Sequence, residues 1–196
     1  MTTVLYVHGG EIFATHDEYI SYLQEKTPQL ENYVSWNAEY LEKNCEDLTL
    51  IKPRFPCKEN AKYDEWKIIF DKYVQAIDDR IILLGFSLGG IFLAKWLAEN
   101  KNEKIAAAFL VAAPYFKDES KEFYRGWELQ NLERLGTDFP VTFFASTTDE
   151  IVPLYHAEKY QEQAPHAKHV LLTKTNHFFD AEFPELIERL QEAKDL

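Results

Sequence analysis

The sequence predicts a single α/β domain, a mostly parallel sheet of about six strands with helices on both faces. Three observations carry this. Short apolar or β-branched runs alternate with helical periodicity along the 196 residues, an alternation that implies parallel strands joined by helices. Ile81, Ile82, Leu83 and Leu84 form a continuous apolar run, as a strand buried on both faces must. The length suits one domain with a sizeable core, and no linker, internal repeat or low-complexity segment divides the span 1–196.

Taken in order, Thr3 to His8 is β-rich and is ended by Gly9 and Gly10. Ile12 to Leu23 mixes apolar and polar residues at helical spacing. Leu48 to Ile51 is a second short strand, with Pro53 and Pro56 in an irregular loop behind it. Tyr63, Trp66, Ile69, Phe70, Tyr73, Val74 and Ile77 recur at three and four residues, an amphipathic helix. The apolar run at 81–84 follows, then Ile91, Leu93, Ala94, Trp96, Leu97 and Ala98 give a helix with a broad apolar face. Ile105 to Val111 is the fourth strand, Pro140 to Ala145 the fifth and His169 to Thr173 the sixth. Pro153 to Gln163 reads as a helix with proline in its first position. Phe183 to Ala193 closes the chain as a helix with Leu186, Ile187 and Leu190 on one face. The stretch 115–136 breaks the rhythm. It is charged yet carries Tyr115, Phe116, Phe123, Tyr124 and Trp127, and reads either as a small cap over a pocket or as packing on the sheet.

Composition narrows the function classes. Hydrophobic residues make up 46% and aromatics 15%, which a disordered chain does not have. The formal net charge of −12, with no basic cluster, repels nucleic-acid backbones and anionic membranes, so neither is an expected partner. No window approaches the ~18 apolar residues of a membrane span. The chain opens on a strand without a basic region or cleavage site, so the expected location is cytoplasmic. Cys45 and Cys57 have no zinc or redox spacing and read as free thiols.

The chemistry concentrates at Gly85-Phe86-Ser87-Leu88-Gly89, a G-x-S-x-G match between strand and helix. A serine on such a turn sits at positive φ with its hydroxyl raised above the strand end. Side chains two positions either side would collide, so glycine occupies both. The Leu88 N–H then becomes a candidate oxyanion donor. A serine hydroxyl needs a base, and the base an orienting acid. Asp149 stands in the loop after the fifth strand, where that acid belongs, with helix capping as its competing role and Glu150 as the fallback acid. His177 stands in the loop after the sixth strand, where the base belongs; the other five histidines lack that position. His8-Gly9-Gly10 after the first strand supplies a second oxyanion donor, Gly10 in first place and Glu11 in second. No nucleotide-loop or paired metal-ligand motif is present, and no metal or organic cofactor is called for.

With GFSLG, DEIVP and NHF in place, the chain resembles the α/β-hydrolase fold in a minimal form. More narrowly it is similar to the small single-domain serine hydrolases of the retinoblastoma-binding-protein type. Those also begin at the HG-loop strand and carry a Pro-rich loop with a following Trp, here Pro53-Arg54-Phe55-Pro56 and Trp66. The stretch 115–136 departs from that pattern. The resemblance implies a serine hydrolase acting on small carboxylic esters or related acyl compounds through Ser87, His177 and Asp149 by an acyl-enzyme. Tyr115, Phe123 and Trp127 are candidates for an apolar acyl pocket. The competing readings are a non-catalytic interaction module on the same scaffold, and acyl transfer or a lyase step at the same site.

Overall fold

The computed structural model describes residues 2–28, 38–116, 126–174, 176–180 and 182–196. Its strands are β1 (Thr2–Val7), β2 (Thr49–Ile51), β3 (Arg80–Phe86), β4 (Ile105–Val111), β5 (Val141–Ser146) and β6 (Lys168–Leu172). The helices are α1 (His16–Glu25), α2 (Ala38–Asn44), α3 (Tyr63–Ala76), α4 (Leu88–Glu99), α5 (Tyr155–Gln163) and α6 (Pro184–Lys194). The strands form one sheet in the order β2-β1-β3-β4-β5-β6, and every neighbouring pair is parallel. The chain leaves β1 for β2 on one side and returns with β3 on the other. The crevice beyond the carboxyl ends of β1 and β3 is therefore the switch point, where open α/β sheets bind ligands.

The period of two along each strand sorts the core into two layers. Leu5, Val7, Ile81 and Leu83 point to one face, where Trp66, Phe70, Phe92, Trp96 and Tyr160 of α3, α4 and α5 cover them. Val4, Tyr6, Ile82 and Leu84 point to the other, under Leu41 of α2 and Leu186 and Leu190 of α6. Each fully buried large aliphatic side chain contributes roughly 1.5–3 kcal/mol. The two indoles of α3 and α4 also find acceptors: Trp66 Nε1 donates to the Pro56 carbonyl and Trp96 Nε1 to Asp71 Oδ1, each at 2.8 Å. The first of these ties the Pro-rich loop to the core.

Local chemistry moves several boundaries. The helix expected from Ile12 begins at His16, because Thr15 caps it: its hydroxyl accepts the Glu18 N–H at 3.2 Å, and Glu18 accepts the Ala14 N–H at 3.0 Å. α1 buries no residue, so its apolar positions serve no core. α2 is absent from the sequence reading; among its described side chains Leu41 is the one buried apolar anchor, too little for a periodic signal. α5 starts at Tyr155 rather than Pro153, whose carbonyl accepts the His156 N–H at 3.0 Å.

In the stretch 115–136, residues 117–125, and Phe123 with them, lie outside the described residues. Its described apolar side chains pack into or against the core. The Leu129 N–H donates to the Phe116 carbonyl at 3.1 Å, and Trp127, Leu129, Leu132 and Leu135 are buried against the α3–α4 layer. Trp127, 1% exposed, meets Tyr63 and Trp66 edge to face. Among the described residues no helix is long and apolar enough to cross a membrane.

Candidate active site

β3 runs directly into α4, and Ser87 is the single residue between them, at φ 54° and ψ −118°. This is a strained conformation for a residue with a Cβ. Its N–H donates to the Val111 carbonyl of β4 at 2.8 Å, so the strained turn is anchored to the sheet. The Ser87 hydroxyl makes no capping bond to α4. A Cβ on Gly85 would lie 2.4 Å from the Gly89 carbonyl oxygen, and one on Gly89 would lie 2.1 Å from that of Val7. Only glycine at both places lets the turn close. Leu88 is the first residue of α4. Its N–H has no acceptor within the helix and sits at the positive end of the helix dipole.

Asp149 and His177, 28 residues apart, meet through their side chains: His177 Nδ1 lies 2.7 Å from Asp149 Oδ2. Both are buried, with side chains 5% and 1% exposed for His177 and Asp149 respectively. The other carboxylate oxygen, Oδ1, accepts the N–H groups of Ile151 at 3.0 Å and Val152 at 2.7 Å. Asp149 is thereby fixed in orientation. Glu150 is exposed, and its N–H donates to Asn176 Oδ1 at 2.9 Å. Asn176 is a brace the sequence reading missed. It joins the loop holding Asp149 to the loop holding His177. It and Phe178 flank His177 at φ 41° and φ 57°. The signal was present in its residue type, since Asn tolerates the left-handed region better than most. A second brace is the Ser146 hydroxyl, which donates to the Lys174 carbonyl at 2.9 Å.

The loop after β1 is held just as firmly. The Glu11 N–H donates to the Lys58 carbonyl at 2.7 Å, and the Glu11 carbonyl accepts the Ala61 N–H at 2.9 Å. Glu11 thus has its N–H committed, and Gly10 is the donor candidate left in this loop. The ring of His8 bridges two segments: Nε2 accepts the Phe55 N–H at 3.0 Å while Nδ1 donates to the Gly9 carbonyl at 2.7 Å. That carbonyl belongs to the same peptide unit as the Gly10 N–H, so the ring sets the direction in which the N–H points.

His8 and His156 are matched in one respect. His156 Nδ1 accepts the Tyr115 N–H at 2.9 Å, and burial, the largest influence on each, lowers both pKa values from the usual 6.5. Asp149 opposes the shift at His156, and Glu59 and the Gly9 carbonyl oppose it at His8, while Lys58 reinforces it there. A ring that accepts a backbone N–H cannot be protonated at that nitrogen. For a histidine with a depressed folded pKa, the stability is present above about pH 6.5 and is lost as pH falls through the folded value. Between about pH 7 and pH 5 the wild type should therefore lose Tm relative to His156→Asn, whose amide oxygen accepts without titrating. Parallel calorimetric curves for the two proteins would contradict this.

Ser87, His177, Gly9 and Gly10 line one cleft of about 280 Å³ with Tyr6, Phe86, Glu11, Tyr22, Lys26, Lys58, Glu59, Ile151 and Phe179. Its size is that of a small-molecule site. Burial raises the Glu11 carboxyl above its usual pKa, opposed by Lys26 and His177. Of the candidate pocket aromatics, Tyr115 and Trp127 are among the described residues. Trp127 is in the core, and Tyr115 packs edge-on against Tyr160, ring centroids 5.3 Å apart; neither lines this cleft. Their charged surroundings in sequence concealed that they pack inward. Cys45 is buried, its thiol pushed up to about 11, and Cys57 is exposed; both are free. Among the described residues no cluster of three His, Cys, Asp or Glu side chains is arranged to hold a metal.

The comparisons with known proteins agree with the fold. The family model described as "Serine hydrolase" matches residues 34–188. The ydeN gene product of B. subtilis superposes with a TM-score of 0.73 at 13% identity, covering 100% of both chains. A ydeN-like hydrolase from Pectobacterium atrosepticum gives 0.67 at 18% identity, over 100% of this chain and 91% of the other. Mouse alpha/beta hydrolase domain-containing protein 10 gives 0.67 at 16%, over 98% and 89%. No curated protein sequence matches the chain.

Proposed function

The chain belongs to the serine hydrolase family, and from that premise we propose that it hydrolyses small carboxylic esters through an acyl-enzyme on Ser87. The observation that carries the proposal is His177, paired through Nδ1 with the buried Asp149, lining the same cleft as a serine held at positive φ. Nδ1 of His177 is occupied by Asp149, so Nε2 is the nitrogen left for the cleft. In this reading Nε2 takes the Ser87 proton as Oγ attacks the acyl carbon. The N–H groups of Leu88 and Gly10 hold the oxyanion. Nε2 then returns the proton to the leaving alkoxide, and water, deprotonated by the same nitrogen, releases the acid. Asp149 holds the tautomer and stabilises the imidazolium. The volume of the cleft supports small substrates, and a Rhodococcus esterase similar in fold, with a TM-score of 0.62 at 16% identity over 97% of this chain and 89% of the other, supports the ester class. The narrower likeness to the retinoblastoma-binding-protein type rests on the Pro-rich loop and Trp66, which the Trp66–Pro56 bond joins. A cytoplasmic location is part of the same proposal, and the free thiols of Cys45 and Cys57 support it.

The direct test is fluorophosphonate labelling followed by mass spectrometry of the labelled peptide. Label on Ser87, lost in Ser87→Ala, is the expected result; a folded protein that takes no label defeats the proposal. Asp149→Asn keeps acceptors for the Ile151 and Val152 N–H groups but presents the wrong partner to Nδ1. Its kcat on an active ester should fall on the order of 10⁴-fold with the fold intact. A fall below ten-fold would remove Asp149 from the role.

A further inference from the structure

We infer that the cleft selects esters by an apolar leaving group, and that Phe179 and Ile151 are the residues that read it. The inference rests on the serine hydrolase reading above. Phe179 is 59% exposed and Ile151 57%, yet both line the cleft that holds Ser87. Exposed apolar side chains gathered at one opening mark a binding surface. Neither is there by looseness of the chain. Ile151 follows the braced Glu150, and its own N–H is held by Asp149; Phe179 follows His177 and Phe178 in the loop braced through Asn176.

Their place relative to His177 assigns the occupant. The Phe179 ring stands edge-on to the His177 ring with centroids 5.9 Å apart, and the Phe86 ring lies 5.0 Å from the same imidazole. In acylation the bond from carbonyl carbon to alcohol oxygen breaks, its electron pair stays on that oxygen, and the proton on His177 Nε2 goes to it. The alcohol leaves neutral and the acyl group stays on Ser87 Oγ. The alcohol oxygen must therefore be within hydrogen-bond reach of Nε2. The carbon chain it carries extends beside the imidazole, among Phe86, Ile151 and Phe179. The charged residues of the cleft, Glu11, Lys26, Lys58 and Glu59, come from other segments of the chain, the loop after β1, the end of α1 and residues 58–59.

Propyl acetate and methyl butanoate test this, because they are isomers with the two extra methylenes on opposite sides of the carbonyl. The quantity to measure is kcat/KM, which covers the steps up to alcohol departure. A methylene buried on one side should gain about two-fold, so the wild type should prefer propyl acetate by about four-fold. Phe179→Ala and Ile151→Ala should each shrink that ratio toward one. Leu171→Ala removes an equally exposed apolar side chain from β6, outside the cleft, and should preserve it. Equal rates in the wild type, a preference for methyl butanoate, or a ratio that survives both cleft variants would overturn the inference while leaving the hydrolase reading intact. If neither ester is hydrolysed, the inference falls; fluorophosphonate label on Ser87 would then show that the activated serine stands and the ester class was wrong. Absence of label as well would remove both.

Discussion

Ser87→Ala should fold normally and lose hydrolysis, with kcat on an active ester falling on the order of 10⁶-fold, since nucleophile and base act as a unit. The residual rate would come from the oxyanion donors and binding alone. The substitution also separates chemistry from strain. Alanine keeps a Cβ at φ 54°, so the backbone strain remains and Tm should scarcely change. Ser87→Gly is equally inactive but frees the backbone, relieving strain of about 1–3 kcal/mol, partly offset by the entropy of glycine in the unfolded chain. For a chain of this length each kcal/mol moves Tm by about 2–4 °C. Ser87→Gly should therefore melt a few degrees above Ser87→Ala. A Ser87→Ala protein that kept even a tenth of the wild-type rate would displace Ser87 from the mechanism. Equal melting of the two variants would show that the turn stores no strain.

The largest expected effect on stability lies two residues further on. A Cβ at Gly89 would stand 2.1 Å from the Val7 carbonyl oxygen and 2.7 Å from that of His8. Both obstacles are backbone at the end of β1, which is clamped between β2 and β3. No side-chain rotation can relieve the clash, so α4 must withdraw from the sheet. That helix buries Leu88, Ile91, Phe92, Leu93, Ala94, Trp96, Leu97 and Ala98, and a shift would open gaps throughout that layer. Gly89→Ala should cost more than about 4 kcal/mol, in the exceptional range for a single substitution. The measurable result is a Tm lowered by roughly 8–16 °C, or protein that does not fold. A loss under about 1 kcal/mol would mean that the helix approaches the strand less closely than the structure has it.

The features legible in sequence share a cause. A continuous apolar run, two glycines around a serine and a broad helical face are local patterns, and together they demand strand, tight turn and helix. The placement of Asp149 and His177 was legible for a related reason. In a parallel sheet every strand ends at the same edge, so residues just past β5 and β6 are brought to one side whatever the intervening helices do. α2 was illegible because one buried leucine in seven residues makes no period. The inward packing of Trp127 was illegible because its sequence neighbours are charged, while the partners that bury it, Tyr63 and Trp66, belong to a helix ending some fifty residues earlier.

By itself, then, the sequence determined the fold class and the strained serine turn, because each is encoded by residues close together. The choice between neighbouring groups belonged to the tertiary structure. Asp149 rather than Glu150 meets His177, and Asn176 from the other loop holds the Glu150 backbone. Glu11 spends its N–H on Lys58. Phe179 and Ile151 open on the cleft while Trp127 is buried. Each of these is settled by a contact between segments distant in the chain, whose geometry no local propensity specifies.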